Sequence, residues 1–325
     1  MTHAIRIHET GGPEALRYEE VPVGEPGPGE LRIKQDAIGL NYIDVYHRSG
    51  LYPLPSLPAV IGMEGAGTVE AVGEDVTEIK AGDRVAYAHS PPGAYAEVRL
   101  MPAVRCVTLP DAIDDRKAAA MMLQGMTVEY LIRRTYPVKA GETVLFHAAA
   151  GGVGLIACQW LNHLGATVIG TVGSEEKAEL AKAHGCHHTV NYRTEDFTAR
   201  VRELTDGAGV PVVYDSVGKD TFMGSLDCLA PRGLFVGFGN ASGKIPDFDM
   251  GVLAAKGSLY VTRPTLMVYN DKREDLVQSA NALFEVVQSG AVKIEINQTY
   301  PLAETAQAHR DLEARKTTGS TVILP

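Results

Sequence analysis

Only four of the 325 residues are cysteine, Cys106, Cys158, Cys186 and Cys228. They are widely spaced and form no C-x-x-C pair, and a reducing, cytoplasmic setting fits that usage. Cys158, in an apolar stretch, is expected to be a buried small hydrophobe. No segment approaches the roughly 18 uninterrupted apolar residues that a membrane span needs. The start, Met1 to His8, lacks the basic-then-apolar run of a secretory signal. Positive charge is in the minority. Thirty basic residues against forty acidic ones give a net charge of −10, which disfavours nucleic acid or an anionic membrane as main partner. There is no internal repeat, no low-complexity tract and no Gly-x-Ser-x-Gly, and no Ser/His/Asp nucleophile arrangement is discernible. What remains is an ordinary globular composition, 45% hydrophobic and 22% charged, on a chain long enough for two domains.

The richest stretch runs from Gly141 to Gly154. Val144 to Phe146 reads as a buried strand, Ala148-Ala149-Ala150-Gly151-Gly152-Val153-Gly154 as a small-residue turn, and Leu155 to Leu161 as a helix. Strand, small-residue turn and helix together hold a dinucleotide pyrophosphate. Ala149 and Gly151 are expected to let the backbone turn and approach the phosphates, Gly154 to let helix and strand pack closely. Ala149 stands where the G-x-G-x-x-G pattern has its first glycine, and an ordinary strand-to-helix turn is the alternative.

Residues 1–125 carry short alternating segments, Leu31 to Ile38, Gly67 to Val72, Arg84 to Ala88 and Ala94 to Leu100, broken by Pro- and Gly-rich loops. They predict a β-rich, barrel-like domain. From 126 to 265 the rhythm becomes strand and helix by turns. Strands are expected at Thr143 to Phe146, Thr167 to Val172, His188 to Asn191, Val212 to Asp215, Leu234 to Gly237 and Leu259 to Thr262. Helices are expected at Glu175 to His184, Thr194 to Thr205 and Phe222 to Leu229. That alternation predicts an α/β fold, a Rossmann doubly wound parallel sheet beside the β-rich domain. Residues 266–325 are expected to complete the first domain, with helices at Glu274 to Val287 and Glu304 to Ala314 and a returning strand at Ser320 to Leu324.

Several motifs acting together carry a family resemblance. Besides the glycine turn they are Ala37-Ile38-Gly39-Leu40-Asn41-Tyr42-Ile43-Asp44, Gly50-Leu51-Tyr52-Pro53, Gly62-Met63-Glu64-Gly65-Ala66-Gly67, Val213-Tyr214-Asp215-Ser216-Val217-Gly218 and Gly257 to Pro264. The chain resembles the zinc-independent NADPH:quinone oxidoreductases, the zeta-crystallin-like branch of the medium-chain dehydrogenase/reductase superfamily. The resemblance spans essentially the whole chain and implies a GroES-like first domain, a homodimer, and reduction of a quinone by NADPH in a zinc-free cleft between domains. A departure is Asn162, where members often carry a basic residue. Zinc enzymes of the superfamily use a cysteine and a histidine ligand. Here Leu40 or Asn41 takes the place of the first and Met63 that of the second, so no zinc is expected. Asp44 and Glu64 are expected to support or pack. A quinone suits a site without metal, because its product anion is delocalised into a ring, whereas an alkoxide needs a Lewis acid or proton donor.

At the end of the second Rossmann strand, Gly173, Ser174 and Lys177 offer a hydroxyl and an ammonium suited to a 2′-phosphate. That favours NADPH, with Ser174 as a helix N-cap and Lys177 as a solvated residue the alternative. Glu175 would favour NAD if it reached the ribose. Tyr192 is placed near the adenosine end. By resemblance Thr127, Gly151, Gly152, Val153, Ser216, Phe238, Gly239 and Arg263 line the cofactor, with a surface ion pair the alternative for Arg263. Asn41, Tyr46 and Tyr52 are the candidates for the reaction site, and the resemblance sets Asn41 and Tyr46 beside the nicotinamide as well. Asn41 offers an amide to a carbonyl oxygen, and the tyrosines offer an apolar wall and a phenol. His47 and His89 are expected on the surface or in packing. Two further readings stand behind the first: an NADPH-dependent alkenal or enone double-bond reductase, and a structural or RNA-binding crystallin-like protein.

Overall fold

The computed structural model describes residues 1–325. They form two compact units, Met1–Met126 with Asn270–Gln288 and Ile294–Pro325, and Thr127–Tyr269 with Ser289–Lys293. In the first unit the chain lays down β1 (Thr2–Ile7), β2 (Arg17–Val21), β3 (Glu30–Leu40) and β4 (Ala59–Val60). It continues with β5 (Glu64–Val72), β6 (Arg84–Ala88), β7 (Val98–Pro102) and β8 (Val107–Thr108). The second unit follows with β9 (Thr143–Phe146), β10 (Thr167–Val172), β11 (His188–Asn191), β12 (Val210–Asp215), β13 (Leu229–Gly237) and β14 (Tyr260–Thr262). Then β15 (Ile296–Pro301) and β16 (Ser320–Leu324) return to the first unit.

The first unit is β-rich. Its main sheet runs β15-β16-β3-β5-β6-β8 with β7 paired to β3, and a smaller sheet runs β2-β1-β4. Alternation along β3 turns Leu31 and Ile33 into a core shared with Ile5, Val69, Val85 and Ile323. Two registers matter below. Glu64, the first residue of β5, lies opposite Gly39 near the end of β3. The returning β16 pairs antiparallel with the same end of β3, Thr321 opposite Leu40.

The second unit is the expected doubly wound sheet, six strands in the order β11-β10-β9-β12-β13-β14, every pairing parallel. Its strands are near-continuous apolar runs because helices cover them. Leu145, Ile169, Val190, Val213 and Phe235 meet Phe222 and Leu226 in one core. No helix of either unit is long and apolar enough to cross a membrane.

Some expected boundaries move. The strand expected from Ala94 begins only at Val98, because the Gln35 amide donates to the carbonyls of Ala94 and Ala96 and holds that segment in an irregular path. The helix expected from Thr194 starts at Phe197, since Asp196 caps it by accepting from the N–H groups of Thr198 and Ala199.

Candidate functional site

Every strand of the parallel sheet ends at a residue that the sequence marked for the cofactor. The glycine turn follows β9, Gly173 and Ser174 follow β10, and Tyr192 follows β11. Ser216 follows β12, Phe238 and Gly239 follow β13, and Arg263 follows β14. The order reverses between β9 and β12, and carboxyl ends flanking such a switch point are where open α/β sheets take ligands. Thr127, buried in the helix Met122–Tyr130, opens the same unit.

The turn after β9 differs in detail from expectation. Ala148, not Ala149, takes the left-handed conformation, with φ of 56°. Ala149 is fully buried, and its N–H donates to the Thr171 carbonyl at 3.0 Å. A Cβ on Gly154 would lie 2.3 Å from the Ala148 carbonyl oxygen, so glycine there permits the close packing of helix on loop. A Cβ on Gly151 would meet only that same oxygen at 3.3 Å, so its other side is open. Gly151 caps the helix Gly152–His163, whose first N–H groups, those of Gly152 and Val153, are the ones an α-helix leaves for an anion. A pyrophosphate fits this cradle.

Beneath the turn lies a directed chain of hydrogen bonds that the sequence did not reveal. The Ala148 N–H donates to the Thr171 hydroxyl at 3.3 Å, and that hydroxyl meets Nδ1 of His147 at 2.9 Å. Nε2 of His147 meets the Ser225 hydroxyl at 2.9 Å, and this donates to Asp215 at 3.1 Å. The other Asp215 oxygen accepts from the N–H groups of Val217 and Gly218. Burial lowers the His147 pKa, the Asp215 carboxylate opposes that, and the bond directions suit a neutral ring. Ser225, His147 and Asp215 therefore form a buried cluster. It is not a nucleophile arrangement: all three side chains are buried, and Asp215 bonds the serine instead of orienting the histidine. The chain ties the loop after β9 to the loop after β12.

At the end of β10, the Ser174 hydroxyl caps the helix Glu175–Ala183 by accepting from the Lys177 N–H at 3.3 Å. It also meets the exposed Glu176 at 3.3 Å. Glu175, the residue that would favour NAD, accepts from the Asn191 amide at 3.1 Å. The Tyr192 hydroxyl sits over Gly173, 2.6 Å from where a Cβ would be. Phe238 packs against Phe146, and Arg263 turns its guanidinium to the carbonyls of Gly237 and Pro264.

In the first unit, Asn41 starts the helix Tyr42–Ser49 and is buried. Its side-chain Nδ2 donates to Glu64 Oε2 at 2.6 Å, and its Oδ1 accepts from Gln124 at 3.3 Å. Glu64 accepts at Oε1 from the Leu123 N–H at 2.7 Å, in the first turn of the helix Met122–Tyr130. Burial pushes the Glu64 pKa up to about 8, and the donors from Asn41 and Leu123 oppose the rise. Asp44, also fully buried, is pushed up to about 7 by burial, against bonds from the Asn41 N–H and the Tyr95 hydroxyl. Tyr95 also meets His309, whose pKa falls to about 3 through burial and the adjacent Arg48, itself paired with Glu313.

Tyr46 is buried and Tyr52 half-buried, and their rings meet edge to face at 5.1 Å. His47 takes the packing role of the two expected for it. It is buried beside Tyr52 with its Nδ1 unpartnered, and desolvation lowers its pKa. His89 is buried next to Arg105. Glu64, expected to support or pack, supports Asn41, whereas sequence reasoning missed Gln124, Ser320, Tyr95 and His309. A local signal was present for Glu64, a carboxylate flanked by Gly62 and Gly65.

Zinc does not fit. Met63 and Leu40 are buried apolar side chains, Asn41 is committed to Glu64, and no group of three or more His, Cys, Asp or Glu could hold a metal ion.

Residues 152–282 match the family model described as zinc-binding dehydrogenase, and residues 27–111 that of the alcohol dehydrogenase GroES-like domain. A quinone oxidoreductase of Pseudomonas aeruginosa is 57% identical over 325 residues, 100% of both chains. The crystal structure of Escherichia coli quinone oxidoreductase complexed with NADPH is 50% identical. It covers 99% of this chain and 100% of its own, with a TM-score of 0.98. A 2-haloacrylate reductase of a Burkholderia species is 48% identical over 335 residues, 100% of this chain and 99% of its own.

Proposed function

We propose, because this chain belongs to the quinone oxidoreductase branch of the medium-chain dehydrogenase/reductase superfamily, that it is an enzyme reducing quinones with NADPH. The observation that carries this is the ring of strand-end residues in the parallel sheet, on a chain 50% identical to an NADPH-complexed quinone oxidoreductase. When bound, NADPH supplies a hydride to the acceptor. The N–H groups of Gly152 and Val153 receive the pyrophosphate over the open side of Gly151. Ser174 and Lys177 would hold a 2′-phosphate, with the serine hydroxyl that now meets Glu176 as its donor, while Asn191 keeps Glu175 occupied. Tyr192, Ser216, Phe238, Gly239, Arg263 and Thr127 bound the rest of the cofactor.

Asn41, Tyr46 and Tyr52 position the acceptor. Asn41 donates to a quinone oxygen, and the tyrosine pair supplies a flat apolar wall. No single side chain is an obligate acid, since a hydroquinone anion collects its proton from water and the protein's contribution is orientation. Tyr52→Phe keeps the ring and should cost at most about 10²-fold in kcat.

A second reading has its own support. The 48% identity to a 2-haloacrylate reductase favours reduction of an activated double bond on the same scaffold. Oxidation of NADPH measured against a panel of quinones, enals and 2-haloacrylates decides between them. Turnover with quinones alone sustains the first reading, and turnover confined to the olefins replaces it with the second.

The proposal extends to a cytoplasmic homodimer. All four thiols are free and buried, as suits a reducing compartment. The edge strand β14 exposes Tyr260 and Val261, an apolar edge fit to pair with a second copy. Light scattering at micromolar concentration should give twice the chain mass, and a monomer would remove this part.

A further inference from the structure

We propose that Glu64 is a positioning residue for the acceptor: through Asn41 it dictates which end of that amide a quinone oxygen meets. This rests on the reading of Asn41 as the residue that addresses the acceptor.

A carboxamide has two ends of nearly equal size, and only its partners decide which is which. Glu64 offers Asn41 a carboxylate oxygen, so the nitrogen end turns toward it, at 2.6 Å. The oxygen end then faces Gln124, whose own Nε2 donates to it, and the Asp44 N–H of the capping box, while the Ser320 hydroxyl shares its one proton between Gln124 Oε1 at 2.8 Å and the Ala120 carbonyl at 2.7 Å. From Gln124 through Asn41 to Glu64 each link is donor to acceptor, and that order fixes the Asn41 amide. One Nδ2 hydrogen of Asn41 is used by Glu64. The second is the donor that this network leaves for a ligand.

Both oxygens of Glu64 face donors, Oε2 the Asn41 amide and Oε1 the Leu123 N–H. The latter lies in the first turn of a helix, where a negative charge is favoured. Room for the carboxylate exists because residue 39 is glycine: a Cβ there would lie 2.2 Å from Glu64 Oε2. Glu64 is fully buried and forms no ion pair with a cation, an arrangement that opposes stability. A zinc ion does not account for it, since the neighbouring side chains do not fit one.

Glu64→Gln tests the assignment. The variant keeps the shape but has one acceptor and one donor end. Leu123 N–H claims the oxygen, so the new NH2 faces the Asn41 NH2, donor against donor, and displaces that amide from the place where it offered its second hydrogen. Steady-state kinetics with NADPH and benzoquinone should show kcat/KM for the quinone falling by about tenfold or more, as for a lost hydrogen bond. The NADPH dissociation constant should stay within about twofold, since this change does not touch the cofactor loop. In an Asn41→Ala background, Glu64→Gln should add nothing. An equal loss in both backgrounds, or no loss in the native one, overturns the proposal while leaving the role of Asn41 standing. If Asn41→Ala itself leaves quinone kinetics unchanged, both the role of Asn41 and this proposal fall. Should Glu64→Gln not fold, Gln124→Leu probes the same lock from the other side. A severalfold loss present only when Asn41 is intact supports the proposal, and a loss independent of Asn41 overturns it.

Discussion

The two units hold their candidate residues by different means. In the second unit the work falls to backbone: strand ends, a left-handed Ala148, a helix N-terminus and glycines at which a Cβ would collide. In the first unit it falls to side chains brought together from Asn41, Glu64, Gln124 and Ser320 by the pairing of β3 with β5 and β16. A backbone cradle serves a ligand whose shape is constant, such as a pyrophosphate. A hydrogen-bonded side-chain cluster can be retuned by single substitutions, which suits the part of an enzyme that meets varied acceptors. Variants in the second unit should therefore disturb cofactor binding, and variants in the first acceptor kinetics or pH response.

The largest expected effect is at Gly154. Gly154→Val drives a side chain into the Ala148 carbonyl and should weaken NADPH binding by at least about 100-fold in a fluorescence titration. Affinity within threefold of the native protein would mean that this packing does not shape the loop. Next comes Lys177→Glu, which replaces an attraction for the 2′-phosphate by a repulsion. It should raise the KM for NADPH about 30-fold and leave that for NADH nearly unchanged. Equal changes for both would remove Lys177 from the 2′-phosphate, and a native protein that binds NADH as tightly as NADPH would make Glu175 the ribose ligand. His147→Leu strands the hydroxyls of Thr171 and Ser225 in a dry interior. A loss of about 2 kcal/mol in urea unfolding is expected, with weaker NADPH binding and no separate change in quinone KM.

The smallest effect concerns pH and belongs to the first unit. His309 titrates near 3 in the folded chain, below its ordinary 6.5, so the folded state binds fewer protons and stability is lost as pH falls from 6.5 toward 3. Asp44 and Glu64 titrate near 7 and 8, above their ordinary values, so the folded state binds more protons. Their contribution is complete below pH 4 and is lost as pH rises toward 8. The two trends oppose each other in between, and thermal denaturation should show stability declining on both flanks. Asp44→Asn should lessen the alkaline decline, leaving the share of Glu64 and the acid flank as they are, and an unchanged alkaline flank would show that Asp44 does not contribute to it.

The same contrast explains what could be read from the sequence. All six Rossmann strands were legible, because strand, turn and helix are contiguous and the apolar runs mark them. The return of Ser320 to Leu324 was legible as a spare apolar run. The partners of Asn41 were not, since residues 64, 124 and 320 meet it only through strand register and a helix start, which local pattern does not encode. His147 was invisible for the same reason. Its partners lie on β10 and on the helix Phe222–Cys228, and nothing beside it in sequence distinguishes it from a surface histidine.

The central step is hydride transfer from NADPH to a quinone. Anaerobic single-turnover mixing of the NADPH-loaded protein with benzoquinone, beside 2-chloroacrylate at equal concentration, measures it. The nicotinamide absorbance should be lost with one hydroquinone formed per NADPH, faster with the quinone by at least about tenfold. A nicotinamide signal that persists with the quinone and disappears with 2-chloroacrylate would contradict it.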